Sequence, residues 1–228
     1  MKRSEINKAL KEMEEMVRSC GFALPPFCAF TPEEWGQKGH EYDEIRDNML
    51  GWDITDYGLG RFEEVGFSLI TLRNGNLKLR ERYAKTYAEK LLFLKEGQYA
   101  PNHFHWSKME DIINRGGGNL LIRVFQSLPD GEMDRESPVT LHLDGCEITV
   151  PAGTQVRLQP GESISIPQLL YHDFEVEPGT GNVLIGEVSQ VNDDNTDNHF
   201  LPPVGRFPEI EEDEPPYRLL CTEYPPVR

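Results

Sequence analysis

At 228 residues the chain can bury one sizeable core, or a compact domain of roughly 150 residues with elaborations at its ends. Its 23 Lys plus Arg against 39 Asp plus Glu leave a formal net charge of −16; such a field repels phosphate backbones and anionic headgroups, so nucleic acid and membrane surfaces are poor partners, and a neutral sugar suits it better than a nucleotide or sugar phosphate. Cys20, Cys28, Cys146 and Cys221 show no CxxC spacing, the opening "MKRSEINKALKEMEEMV" has no apolar leader, and no run approaches the ~18 apolar residues of a spanning helix, a pattern that reads as a cytoplasmic protein with free thiols.

The first predicted element is a helix. Ser4 can cap a run in which Ile6, Leu10, Met13 and Val17 recur at three- and four-residue intervals, and Gly21 can close it, giving an amphipathic helix over about 5–19. Thr31 as N-cap with Pro32 at the first helical position predicts a second, short helix. Residues 1–60 read as a helical extension packed on a body of strands. From there β patterning takes over: "FSLITLRNGN" alternates into an Asn-Gly turn and "KTYAEKLLFLKEGQ" into a Glu-Gly turn. "NLLIRVFQSL", "VTLHLDGCEITVPAG", "TQVRLQPGESISIP", "YHDFEVEPG" and "NVLIGEVSQV" continue the series of short strands through residue 200. Many strands separated by Gly, Pro and Asp turns indicate a sandwich or barrel, not a parallel sheet wrapped by helices. Residues 201–228, acidic and proline-rich, look too irregular for core and are expected to wrap the surface or a partner subunit.

The chemistry concentrates in "GQYAPNHFHWSKMEDIINRGG", residues 97–117. In a strand, His103 and His105 point to one face and Phe104 to the other, which brings two imidazoles within reach of one ion. After a short turn Glu110 opens the next strand and can offer a carboxylate oxygen to the same ion. A fourth ligand has to come from elsewhere, and "IPQLLYHDFEV" presents His172 in a similar setting. His142 reads as a solvated or packed histidine, His40 and His199 as loop residues, and the Gly116–Gly118 run as a tight turn between strands, since it opens no helix that could hold a phosphate.

The spacing Gly97, His103, His105, Glu110, Gly117 resembles the first cupin motif without departure. Gly161, Pro167 and His172 resemble the second, with Leu169 where the family usually has glycine and Val176 where it has asparagine. The resemblance implies a mainly β fold, a cupin double-stranded β-helix (jelly-roll) barrel with an N-terminal helical extension, holding a single divalent metal on His103, His105, Glu110 and His172. The run "YAEKLLFLKEGQYAPNHFHWSKMEDIINRGGGNL", the length and the extension closely resemble the D-lyxose isomerase family of cupin sugar isomerases over nearly the whole chain, most strongly from about 85 to 200. That resemblance implies interconversion of D-lyxose and D-xylulose, and of D-mannose and D-fructose, by a homodimer with manganese; zinc, cobalt, iron and nickel accept the same ligand types.

An aldose-ketose isomerase needs a base that moves a proton from C2 to C1 on one face of a cis-enediol, and a second group that moves one between O1 and O2. Glu187, on a late strand among apolar residues, is the leading base candidate. Lys90, at even parity with Leu92 and Leu94, and Lys108, at the parity of Glu110, are candidate acids or oxyanion partners. Asp193, followed by Asp194 in the polar run "NDDNTDN", is a candidate helper. Trp52, Phe104 and Trp106 are candidates for stacking on a sugar. Two alternatives remain open on the residues alone: an Fe(II) cupin dioxygenase, and a non-catalytic sugar-binding cupin.

Overall fold

A computed structural model describes residues 1–193 and 196–227; Asp194 lies outside them. Helix α1 covers Arg3–Ser19 and is followed by two short helices, α2 (Pro32–Trp35) and α3 (Asp43–Asp47). The strands are β1 (Gly51–Thr55), β2 (Phe67–Arg73), β3 (Tyr87–Leu94), β4 (Tyr99–His105), β5 (Glu110–Gly117), β6 (Leu120–Ser127), β7 (Met133–Asp134), β8 (Val139–Leu143), β9 (Cys146–Val150), β10 (Gln155–Leu158), β11 (Ser163–Ile166), β12 (Leu170–Val176), β13 (Val183–Gln190) and β14 (Asn198–Phe200).

Antiparallel pairing assembles them into two facing sheets, one ordered β1-β2-β3-β13-β5-β11-β8-β9 and the other β10-β6-β12-β4-β14 with β7 beside β6. Period-two alternation decides what each face buries. In β3, Leu92 and Leu94 join Ile112, Ile122, Val124 and Ile185 between the sheets. Leu91 and Phe93 point outward and pack with Ile6, Leu10, Met13 and Val17 of α1. The result is the mainly β jelly-roll barrel with an N-terminal helix that the cupin resemblance implies.

Local chemistry explains the helix ends. Gly21, at φ 69, closes α1: its N–H donates to Arg18 O and that of Phe22 to Val17 O, the two bonds of a Schellman cap. Thr31 caps α2 in a reciprocal box with Glu34. Ser4, however, is not the cap of α1. Lys2 is, its N–H held by Glu5 at 2.7 Å, while the Ser4 hydroxyl donates to Asp213.

Three further expectations are corrected. The first 60 residues are not wholly helical: β1 pairs with β2 along its full length, and its alternation of Trp52 and Ile54 with Asp53 and Thr55 spans only four residues, too few to stand out after the helical segments. The Asn-Gly at 74–75 makes no hairpin; β3 begins only at Tyr87, and a Cβ on Gly75 would sit 2.1 Å from Lys85 O, so glycine serves close backbone approach there. The tail supplies core after all: Leu220 and Cys221 are buried, Tyr224 packs 4.1 Å from Trp35, and Glu212 and Glu223 both bind the buried Arg3. Short polar tethers to α1 replace regular hydrogen bonding, which is why no periodicity marks this segment.

Leu220→Ala is therefore expected to cost about 2–4 kcal/mol in urea unfolding, as for a buried leucine. A loss under about 0.5 kcal/mol would show the tail to be a loose wrapper.

Candidate metal centre and its cavity

Two neighbouring strands aim the histidines at one point. His103 of β4 lies directly opposite His172 of β12 in the ladder, ring centroids 4.2 Å apart, and His105 is two residues further along β4 on the same face. Phe104 turns outward against Phe125 and Tyr171. One nitrogen from each of His103, His105 and His172 lies within 4.8 Å of the others, and all three residues are buried. Glu110, opening β5 on the facing sheet, brings Oε1 to 3.3 Å from His105 Nε2 and 3.2 Å from His172 Nε2.

The fit of a metal can be judged from unspent hydrogen-bonding capacity. Nδ1 of His103 donates to Pro101 O at 2.8 Å and Nδ1 of His172 to Leu170 O at 2.9 Å, which leaves their Nε2 lone pairs for the cluster. His172 Nε2 and both ring nitrogens of His105 are buried without a hydrogen-bond partner. Orphaned buried imidazole nitrogens are costly unless something else binds them. Three neutral nitrogens and one carboxylate suit a divalent transition ion, so the cluster could hold a metal. Burial, with the neighbouring imidazoles, holds His103 well below the usual histidine range, and burial with Lys108 lowers His105. Burial would raise the Glu110 carboxyl, but Lys108 and His105 outweigh it and keep it well below the usual value.

Beside this cluster the long sheet contributes charge. Lys90 and Glu187 are ladder partners on β3 and β13, and Ser189 lies opposite Glu110. Lys108 Nζ bridges Glu110 Oε2 at 2.7 Å and Glu187 Oε1 at 2.8 Å, and Lys90 Nζ is 3.5 Å from the same Glu187 oxygen. One cavity is lined by Lys90, His103, His105, Lys108, Glu110 and Glu187 together with Thr55, Tyr57, Phe67, Phe174, Asn198, Phe200 and Arg206.

Six of the eight sequence-derived site residues thus line one cavity, with His172 part of the cluster on its wall. Asp193 does not: it lines two adjoining clefts, because β13 has ended at Gln190 and the chain has turned out of the barrel. In the same polar run Asp197 reaches the backbone beside the site, its carboxylate accepting from the N–H of Ser107 at 2.7 Å and of Lys108 at 3.0 Å. Among the aromatics, Trp52 is buried under α1 and Trp106 is 50% exposed; Tyr57, Phe67, Phe174 and Phe200 face the cavity instead. Arg206, paired with Asp53 at 2.8 Å, and Asn198 carry no sequence signal, since their places depend on the tail crossing β1 and β4.

The second-motif departures are accommodated. Leu169 adopts φ 64, the left-handed conformation glycine would favour, with its N–H on His105 O at 2.9 Å. Val176 joins the barrel core.

Two histidines held neutral by burial set a pH dependence. Unfolding lets His103 regain its ordinary value of 6.5, so below that pH the unfolded chain binds the extra proton first. The stabilisation is complete above about 6.5 and declines as pH falls. The melting temperature of chelator-treated protein is expected to fall more steeply between pH 6.5 and 5 than that of His103→Gln; parallel curves would contradict it.

A family model described as D-lyxose isomerase matches residues 1–224. Two relatives named D-lyxose/D-mannose isomerase, from Escherichia coli O157:H7 and Serratia proteamaculans, are 47% identical over 225 residues and 48% identical over 226, each alignment covering 98% of this chain and 98% of the relative. Among solved structures, L-ribose isomerases from Cellulomonas parahominis, with L-ribose, and from Geodermatophilus obscurus superpose with TM-scores of 0.59 at 15% and 14% identity, covering 92% of this chain and 98% of theirs. Identities this low speak for the fold alone.

Proposed function

The chain belongs to the D-lyxose isomerase family, and from that premise we propose that it interconverts D-lyxose with D-xylulose and D-mannose with D-fructose through a cis-enediol. Aldose-ketose isomerisation as such follows from the family; the sugars and the proton path are the proposal. The observation that carries it is the placement of one buried carboxylate, Glu187, between two buried ammonium groups in the cavity of the histidine cluster.

His103, His105, His172 and Glu110 would hold a divalent ion, with manganese the expected one. When bound, it supplies a Lewis acid that polarises the C1 carbonyl and makes the C2 proton more acidic. Glu187 takes the proton from C2 and returns it to C1. Both carbons present the same face in a planar cis-enediol, so one carboxylate serves both transfers. Lys108 and Lys90 oppose the negative charge that develops on the two oxygens. One of them passes the proton lost by O2 to O1, so the ketose is formed with no net gain or loss of atoms. Tyr57, Phe67, Phe174 and Phe200 form the apolar side of the cavity, and the proton held on Glu187 exchanges in part with solvent between the two transfers.

The relatives' shared name favours this reading over an Fe(II) oxygenase and over a non-catalytic sugar-binding cupin. Buried lysines beside the carboxylate favour it too, since they are of use to an enediolate and of little use to O2 chemistry. Family resemblance also carries the expectation of a homodimer, and the four cysteines without CxxC spacing carry that of the cytoplasm.

Glu187→Gln is expected to keep its full complement of metal and to lose about 10²–10⁴-fold in ketose formation. In D2O, wild-type product is expected to carry solvent deuterium at C1. A Glu187→Gln variant within about threefold of wild type would remove Glu187 from the role of base.

A further inference from the structure

The Asn-Gly tetrad at 73–76, which makes no hairpin, is joined to the site through a chain of amides. Asn74 clasps the backbone of Asn192 from both sides: Nδ2 donates to Asn192 O and Oδ1 accepts from Asn192 N–H, each at 3.0 Å. Asn48 anchors Asn74 in turn, its Nδ2 donating to Asn74 O at 3.0 Å, and Asn76 Nδ2 donates to Asn48 Oδ1 at 3.1 Å. Asn48 and Asn74 are buried. The close approach of Gly75 to Lys85 and Val191 holds this loop against the end of β13. Asn192 then offers its side-chain Oδ1 to Lys108 Nζ at 3.3 Å.

We infer that Asn192, clasped by Asn74, is a positioning residue that fixes the Lys108 ammonium for proton transfer. The inference rests on the isomerase reading. Among the described residues three oxygens accept from that ammonium or pair with it: Glu110 Oε2, Glu187 Oε1 and Asn192 Oδ1. Glu110 belongs to the metal cluster and Glu187 exchanges a proton with the substrate. Asn192 alone is uncharged and takes part in neither, so its oxygen stays the same acceptor through the whole cycle. An ammonium on a four-carbon stem has rotamers to lose, and an amide acceptor carried on a backbone that Asn74 clasps, with Asn48 anchoring Asn74, selects one of them. Asn192 touches no reacting atom; its effect passes through Lys108.

The test compares Asn192→Ala, Asn192→Asp, Asn74→Ala and the Asn74→Ala/Asn192→Ala pair with wild type, all loaded with manganese and assayed on D-lyxose. Loss of a hydrogen bond to a charged group predicts a kcat about tenfold to hundredfold lower for Asn192→Ala, with KM and bound metal changed by less than about threefold. Asn192→Asp keeps the oxygen and is expected to recover at least fivefold of a loss of that order. Asn74→Ala is expected to reproduce part of the loss, and the pair to add nothing beyond Asn192→Ala, as for residues acting in series. An Asn192→Ala kcat within about twofold of wild type, a loss that Asn192→Asp does not recover, or fully additive losses would overturn the inference. Should the alanine variant fold poorly, Asn192→Leu at the same position is measured by the same criteria. If wild type forms no ketose, the isomerase reading falls by itself. The position of Lys108 Nζ in crystals of Asn192→Ala then decides this one: a displaced ammonium supports it and an unmoved one overturns it.

Discussion

Four charged side chains buried inside an apolar barrel have to compensate one another, and most of the architecture serves that requirement. Lys90, Lys108, Glu110 and Glu187 are all at or below 5% exposure. Two of each sign cancel, and each cation lies within 3.5 Å of a carboxylate. Removing one partner from such a group strands a charge in low dielectric, at a cost of about 3–5 kcal/mol. The ladder order β3-β13-β5 meets the requirement directly, since adjacent inward positions on these strands carry Lys90, Glu187 and, two residues on, Ser189 facing Glu110. Among the described residues these four side chains are self-neutral as a group, and a divalent ion on the histidines would leave that group with its ion positive, which suits a developing enediolate and not a cationic ligand.

The opposite sheet supplies the histidine half of the site. His103 and His172 face each other across β4 and β12, and the backbone carbonyls of Pro101 and Leu170 fix which nitrogen each imidazole presents. Helix α1 and the C-terminal segment act at a distance. By covering Leu91, Phe93 and Leu184 on the outer face, they bury the strands that carry Lys90 and Glu187 on both sides, which raises the local value of every electrostatic contact inside. Pairing of β14 with β4 brings Asn198 and Phe200 to the cavity wall, and the segment that follows crosses β1 to bring Arg206 there.

The features visible in the sequence are those with a period or a fixed spacing. Alternation alone places His103 and His105 inward and Phe104 outward, and the parity of Lys90 with Leu92 and Leu94 marks a lysine facing the interior. The glycine-bracketed motif identifies the strand pair, and the departure at Leu169 is absorbed by a leucine holding a left-handed backbone. Illegible features depend on tertiary contacts. Strand β1 alternates Trp52 and Ile54 with the polar Asp53 and Thr55 over only four residues, and what buries both of its faces lies elsewhere in the chain. Asp197 holds the Lys108 backbone from 89 residues away and Asn74 holds Asn192 from 118; neither contact leaves a local pattern. Asp193 stands out over Asp197 in the sequence because it lies nearer the predicted strand, yet chain proximity does not say where a turn leaves the barrel. The tail reads as a loose wrapper for a related reason: side-chain tethers such as those of Arg3, Ser4 and Asn7 to residues 212–215 can order a segment that has no regular hydrogen bonding.

The most direct test of the histidine cluster is a titration of chelator-stripped protein with Mn2+, following metal bound per chain and ketose formed from D-lyxose and D-mannose in the same samples. A buried site of three imidazoles and one carboxylate predicts saturation at one ion per chain, with ketose formation rising from near zero in proportion to occupancy. Full-rate ketose formation by stripped protein, or metal bound without effect on turnover, would contradict it.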